Sequence, residues 1–460
     1  MRDMVAIWVG KLAGWLSRRL GRGGGTTMPG SLAQRIAPHM LTNLTRQLPR
    51  GVICVAGTNG KTTTTRMIAD VLQAAGWRVL HNRSGANLIT GVTTTMLAGA
   101  DWRGRIHADV ALFECDEAAL PQIVRATQPH VVLLHNLFRD QLDRYGEVDT
   151  IATNWSAALQ QLADTTTVLY FGDDPSLARL AQSLTCRVVP YGNDDVTSAR
   201  DAVAHLADAG FCRCGTALVY TARFYAHIGH YHCPTCGFAR PQPVYAMTHL
   251  VADGLLGSRL TLRTPQGDAA VLLPLPGLYN AMNAVATYAC AAVLGIARHV
   301  APALGGMQAA FGRYEVIPVH DDRHVVLALI KNPVGASETI RMFVDAWTAP
   351  QPILIIINDR DQDGTDVSWL WDADFEQLVP WLTHVVVSGT RATDMQVRMY
   401  YAGMAPSHIT CVDDSAAALD AALARVPSGQ TLAVLPTYTA MMELRAVMVA
   451  RGWVAPFYAD

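Results

Sequence analysis

The sequence predicts an α/β protein of more than one domain, on three observations. Short, wholly apolar runs recur along the chain with room between them for crossover helices. Residues 52–56, Val-Ile-Cys-Val-Ala, lead into a glycine-containing loop and then a helical pattern. A cysteine-rich stretch breaks the α/β texture near residue 211. Runs that are apolar throughout, not alternating, belong to strands buried on both faces, as in a parallel sheet covered by helices. At 460 residues the chain exceeds one core, and about 150 residues per domain predicts two or three.

In chain order, residues 1–45 form an N-terminal helical segment. An amphipathic helix is expected over roughly residues 4–20, with Trp8 and Trp15 beside basic residues. Packing on its own domain is the favoured reading, and contact with a membrane surface is the alternative. The first apolar stretch is broken by Lys11 and followed by Arg18, Arg19 and Arg22 without a cleavage site, so it is not a signal peptide. No apolar run reaches about 18 residues, so no transmembrane segment is expected. The expected localisation is cytoplasmic, with peripheral contact at the inner face of the membrane as the membrane role left open.

Residues 46–312 read as the first large α/β domain. After the strand at 52–56, a helix is marked by Met67, Ile68, Val71 and Leu72, and further buried strands are expected at 110–113, 131–134 and 167–171. A small insert occupies about 208–243, and apolar periodicity resumes over 244–275. Residues 313–460 carry a second α/β pattern, with runs at 325–329, 353–357, 384–387 and 432–435. The 36 basic and 38 acidic residues give no global reason to expect a nucleic acid partner.

The loop Gly57-Thr58-Asn59-Gly60-Lys61-Thr62-Thr63 joins the first strand to its helix. Such a junction presents backbone N–H groups and the positive helix end to an anion. Gly57 and Gly60 permit close backbone approach, Lys61 reaches the β- and γ-phosphates of ATP, and the Thr62 hydroxyl ligates Mg²⁺. The spacing is shorter than the usual P-loop, and a structural turn with an incidental lysine is the competing reading. In Phe113-Glu114-Cys115-Asp116-Glu117, Glu114 falls at the carboxyl end of a buried strand, where α/β sheets bind ligands, and is the second expected Mg²⁺ ligand. A solvated acidic turn is its alternative.

Cys212, Cys214, Cys233 and Cys236 form two close pairs separated by 18 residues, with Gly215 and Gly237 allowing tight turns. Four thiolates in that pattern make a closed tetrahedral zinc site, structural because no position remains for substrate. Unliganded reduced thiols are the alternative. One of His227, His230 and His232, otherwise expected as surface residues of a β-hairpin, is the alternative to Cys212 as a ligand. None of the other five cysteines fits an activated nucleophile, which needs a low pKa and a histidine base. Cys54, Cys186 and Cys290 lie in apolar segments, Cys115 lies among acids, and Cys411 is at a strand end.

Residues 57–62 match the Gly-Thr-Asn-Gly-Lys-Thr signature of the Mur ligase family, which includes folylpolyglutamate synthases. Residues 81–88, 136–147 and 363–372, in that order, are similar to the branch of this family that serves as the ligase-like subunit of lipid II isoglutaminyl synthase. The resemblance covers nearly the whole chain. It implies a Mur ligase-type central ATPase domain with an inserted four-cysteine zinc ribbon, followed by a Rossmann-like C-terminal α/β domain. It also implies a heterodimer with a GatD-like glutaminase, and amidation of the α-carboxylate of D-isoglutamate in the lipid II stem peptide. ATP, Mg²⁺ and structural Zn²⁺ are the implied cofactors, with Lys61, Thr62 and Glu114 on phosphate and metal and Asn283 at the nucleotide base. The first cysteine pair departs from the branch's usual Cys-x-x-Cys.

The run after residue 357 carries six acids or amides up to Asp366. By the resemblance, Asp366 completes the Cys–His pair of the glutaminase across the interface; by its local sequence alone it is a helix N-cap. Two rival functions are weighed. A stand-alone amino acid ligase of the same fold is disfavoured by the cysteine insert and by residues 363–372. A zinc-ribbon nucleic-acid binder is disfavoured because Arg213, Arg223 and Arg240 are sparse around the insert.

Overall fold

The computed structural model describes residues 2–19, 27–82, 86–139, 148–200, 209–307 and 313–455. Of the stretches singled out above, Arg22, residues 83–85, 140–147, the start of the insert at 208 and the boundary at 312 lie outside the described residues.

Three helices, α1 (Arg2–Arg19), α2 (Met28–Ile36) and α3 (Met40–Thr45), precede the first sheet. There follow β1 (Val52–Ala56), α4 (Lys61–Ala74), β2 (Val79–His81), α5 (Ile89–Gly99), β3 (Val110–Glu114), α6 (Leu120–Thr127), β4 (Val131–Leu134), α7 (Val148–Leu159), β5 (Thr167–Phe171), α8 (Pro175–Ala181) and β6 (Arg187–Asn193). The hairpin β7 (Val219–Tyr225) and β8 (Ile228–His232) forms the insert. Strands β9 (Tyr245–Ala252), β10 (Ser258–Thr264) and β11 (Gly267–Leu273), and helices α9 (Leu278–Val293) and α10 (Val300–Gly305), complete this half.

The nine strands run in the order β11-β10-β9-β6-β5-β4-β1-β3-β2. The expected strands at 52–56, 110–113, 131–134 and 167–171 are present, and β1, β3, β4 and β5 are buried along their full lengths. From β2 to β9 the pairing is parallel, but β9, β10 and β11 pair antiparallel. The sheet is therefore mixed, because the turns after β9 and β10 are too short for the crossover that a parallel pair needs.

The second sheet collects β12 (Arg313–Pro318), β13 (His324–Ala328), β14 (Gln351–Ile356), β15 (Leu382–Ser388), β16 (Ile409–Cys411) and β17 (Thr431–Pro436), in the order β12-β13-β17-β14-β15-β16. Among the described residues of this sheet, β12 alone pairs antiparallel. Helices α11 (Pro333–Ala346), α12 (Ala392–Tyr401), α13 (Ser415–Leu423) and α14 (Tyr438–Ala450) cover it.

Alternation along β13 shows how the two halves join. Val325 and Leu327 enter a core on one face with Leu354, Ile356 and Val434. Val326 and Ala328 point the other way, into the larger core that continues into the first sheet.

Candidate active site

β1 lies between β3 and β4, so the carboxyl ends of three buried strands are side by side. Everything expected to handle phosphate grows from those ends. The phosphate loop follows β1, Glu114 ends β3 and is buried, and His135 and Asn136 follow β4. Positive φ values of 143° at Gly57 and 90° at Gly60 let the loop turn back onto the start of α4. There is no room for side chains at either position. A Cβ at Gly57 would lie 2.7 Å from Cβ of His135, and one at Gly60 would lie 2.4 Å from Oδ1 of Asn283. Asn283, on α9, thus stands against the loop.

Asn136 holds the loop's shape. Its Oδ1 accepts the N–H of Asn59 at 2.8 Å, and its carbonyl accepts the N–H of Thr58 at 2.9 Å. Thr58 also exchanges hydrogen bonds with the backbone of Phe138. Thr62 and Thr63 lie in the first turn of α4, and the buried Thr64 hydroxyl has no hydrogen-bond partner. Gly60 caps α4 with no side chain, leaving the end of a 14-residue helix open toward the loop.

Lys61 lies beneath the loop, where Nζ donates to the carbonyl oxygens of Gly57 at 2.6 Å and Thr58 at 3.2 Å and to Oε1 of Glu117 at 2.9 Å. Both members of this ion pair are buried. Glu117 was not singled out in the sequence, although it closes the same acidic motif as Glu114; only the fold brings it to Lys61. Asn82 supports the neighbouring backbone, accepting the N–H of Glu114 at 2.9 Å and donating to its carbonyl at 2.8 Å.

A cleft of about 820 Å³, its open mouth included, runs from Asn59, Gly60 and Thr63 to the start of α11. Asn283, Tyr279 and Met282 of α9 line it from the first half, and Lys331, Gly335 and Glu338 from the second. Phe138, Phe171, Tyr225 and Tyr314 add aromatic surface. His135 faces this cleft as a neutral imidazole, its pKa lowered to about 3 by burial and by nearby Lys61. Glu338 is buried, and burial raises its carboxyl to about 7 against the opposing pull of Arg341. The sequence offered no signal for Glu338 or Tyr225, each of which lies in an ordinary amphipathic element.

The four sulfurs of Cys212, Cys214, Cys233 and Cys236 lie within 4.8 Å of one another. Cys212 belongs to this cluster, its sulfur 3.4 Å from that of Cys236 and 3.5 Å from Nη2 of Arg179. The three histidines are elsewhere. His227 is completely buried, not on the surface, against Phe138 and 3.5 Å from Asp174. His230 is tied to the carbonyl of Asn193 at 2.7 Å, and His232 is exposed. The cluster closes the open end of the β7–β8 hairpin, while the other end puts Tyr225 into the cleft. Arg240 and Arg223 are engaged internally, the former with Asp173 and Asp194, the latter over Tyr220.

Of the other thiols, Cys115 is raised chiefly by burial, with the acidic Glu114 a lesser cause than its sequence context suggested. Burial also pushes Cys290 up to about 12 and raises Cys186 and Cys411. Asp366 is exposed, and its Oδ1 accepts the N–H of Ser368 at 2.8 Å at the entrance to a short 3₁₀ helix. The adjacent Asp363 is buried and anchors the loop to Thr439. The structure thus brings the glycine loop against Asn283, places Glu114 at the end of the strand beside β1, sets the four-sulfur cluster at the open end of the β7–β8 hairpin, and leaves Asp366 as an exposed carboxylate on the second half.

Family models place this arrangement among known proteins. Residues 55–214 match the Mur ligase middle domain and residues 329–441 match the MurT ligase C-terminal domain. The chain is 32% identical to the MurT subunit of the glutamine-hydrolysing lipid II isoglutaminyl synthase of Streptococcus pneumoniae, over 98% of both chains. The chain belongs to the MurT family of Mur ligases. Solved structures of Mur-type ligases share the MurT fold. A pseudomurein peptide ligase type C from Methanothermus fervidus superposes with a TM-score of 0.69 at 17% identity, covering 89% of this chain and 80% of that one. MurF of Thermotoga maritima, solved with ADP, superposes with a TM-score of 0.64 at 12% identity, covering 90% and 83%. Among the described residues, no helix is long and apolar enough to cross a membrane.

Proposed function

We propose that this chain is the ATP-consuming subunit of a two-chain amidotransferase that converts the α-carboxylate of D-isoglutamate in the lipid II stem peptide to the amide of D-isoglutamine. The observation that carries the reading is the end-to-end relationship to a subunit whose name states that activity. The unsuitability of the remaining thiols supports a separate GatD-like glutaminase as the nitrogen source. In this reading residues 46–312 are the ATPase domain, residues 313–460 contact the glutaminase, and the heterodimer works on its lipid-linked substrate at the inner face of the membrane.

The Gly60 end of the loop and the open end of α4 bind the phosphates, with Thr58 and Asn59, held by Asn136, and Thr63 shaping the cradle and Asn283 against the base. The start of α4, which carries no side-chain cap, fits such a ligand. Lys61 stabilises charge on the β- and γ-phosphates. Thr62 and Glu114 are the ligands for Mg²⁺, which supplies further neutralisation when bound. The substrate carboxylate attacks the γ-phosphorus, ADP leaves and an acyl phosphate forms. Ammonia then attacks the acyl carbon, and the amide forms as phosphate and a proton depart.

Cys212, Cys214, Cys233 and Cys236 hold a structural Zn²⁺, for which four converging sulfurs form a closed donor set. Asp366 is exposed, as a residue reaching a partner must be, and serves as a positioning residue that orients the glutaminase histidine.

Copurification with a candidate glutaminase, followed by mass measurement of lipid II, tests the proposal. A glutamine- and ATP-dependent mass decrease, corresponding to replacement of OH by NH₂, is expected. Robust ligation of a free amino acid by the purified chain alone would overturn it in favour of a stand-alone ligase.

A further inference from the structure

Helix α1 has two apolar faces, of which one is buried and the other exposed among the described residues. Ala6, Ile7, Gly10, Ala13 and Gly14 are buried where the helix packs on α2 and α5. Met4, Val5, Trp8, Leu12, Trp15 and Leu16 are instead 40–55% exposed. At about 100° per residue, these six share one arc of about 120° on the opposite side.

The loop after α5 extends this surface. Nε1 of Trp8 donates to the carbonyl of Trp102 at 2.8 Å, and Trp102 is itself 63% exposed. Single exposed apolar residues are ordinary, but three indoles and several aliphatic chains held together on one surface mark an interaction site.

The charges around the patch indicate its partner. Lys11 lies 5.7 Å from the ring of Trp102, and Arg19 lies 4.9 Å from that of Trp15. Arg2, Arg103 and Arg105 are exposed nearby. These five cations outnumber the two acids among them, Asp3, which accepts from Asn43, and Asp101, which accepts the N–H groups of Arg103 and Arg105. A chain with a net charge of −2 thus presents a cationic rim here. Indoles settle at the headgroup level of a bilayer, aliphatic chains enter the acyl boundary, and cations at the edge are attracted to anionic lipid. A second copy or a protein partner would use the apolar arc without needing the rim.

We propose that the outer face of α1, together with Trp102, docks this protein on the surface of an anionic phospholipid bilayer. The attachment is separate from the reaction proposed above, and its test requires neither nucleotide nor glutaminase. Full-length protein is sedimented with vesicles containing phosphatidylglycerol and with vesicles of phosphatidylcholine alone, while tryptophan emission is recorded. Binding to the anionic vesicles with a blue shift, weakened by salt, is expected. The combined variant Trp8→Ser, Trp15→Ser, Trp102→Ser should bind at least about tenfold more weakly. Lys11→Glu with Arg19→Glu should lose the preference for anionic lipid. Leu12→Glu, a single change on the exposed face, provides the same test should the triple variant melt early. Absence of vesicle binding by the wild type, or undiminished binding by Leu12→Glu, overturns the proposal. So does a dimer or a glutaminase complex that depends on these tryptophans while vesicle binding does not.

Discussion

Asn59 and Asn332, 273 residues apart, face each other across the cleft with reciprocal amide hydrogen bonds: Nδ2 of Asn332 donates to Oδ1 of Asn59 at 3.0 Å, and Nδ2 of Asn59 to Oδ1 of Asn332 at 3.4 Å. Asn332 is also the N-cap of α11, its Oδ1 accepting the N–H of Gly335 at 2.7 Å. One residue thus starts a helix of the second half and fastens that half to the phosphate loop. Asn332→Ala should lower stability by about 1–2 kcal/mol through the lost cap and the lost amide pair. It should also raise the KM for ATP, measured beside denaturant unfolding.

Lys61 and Glu117 are a buried ion pair, so breaking it from one side leaves a charge without compensation. Lys61→Ala should abolish ATP turnover and destabilise the fold by about 3–5 kcal/mol. Adding Glu117→Gln should restore much of the stability and none of the turnover. Equal melting temperatures for the single and double variants would show that the pair is not what stabilises the loop.

The four-sulfur cluster closes one end of the β7–β8 hairpin whose other end carries Tyr225. One zinc per chain by elemental analysis is expected, and Cys233→Ser should lose it. Because the loosened hairpin carries a wall of the cleft, the KM for nucleotide should rise more than kcat falls. Zinc loss with unchanged stability and unchanged KM would separate the cluster from the cleft.

Glu338 has a buried oxygen with no hydrogen-bond partner, and its ion-pair contact with Arg341 is at 3.7 Å. Burial raises its carboxyl from 4.5 to about 7. Below pH 4.5 both folded and unfolded chains hold the proton, and this group does not alter stability. Between 4.5 and 7 the unfolded chain releases it while the folded chain keeps it, so stability falls as pH rises, and above 7 the loss is complete. The loss is on the order of 3 kcal/mol. Glu338→Gln should flatten this part of the profile when unfolding is followed from pH 4 to 8 in parallel with the wild type.

Asp366 distinguishes the two half-reactions. Asp366→Asn should leave amidation driven by ammonium salts intact and reduce amidation driven by glutamine by roughly 10³- to 10⁴-fold, the scale seen when a triad carboxylate is lost. An equal loss with both nitrogen sources would place Asp366 in folding or in the ATP half-reaction instead.

The buried strands, the glycine loop after β1 and the clustered cysteine pairs were legible in the sequence because each is a local pattern. An apolar run needs no partner to be recognised as β1 or β14, and glycines around Lys61 or paired thiols carry their chemistry within a few residues. The antiparallel edge β9–β11 was not separated from the parallel run, since a buried strand reads alike in both until its turn length is known. Which charge meets which was not legible either. Lys61 with Glu117, Asn59 with Asn332 and the burial of His227 depend on segments brought together by sheet order, and the sequence separation carries no trace of it. The sequence alone determined the α/β class, the glycine loop between β1 and α4 and a sulfur donor set. Tertiary structure decided the cleft, the raised pKa of Glu338 and the unused face of α1, because desolvation and exposure belong to a packed surface and to no single segment of chain.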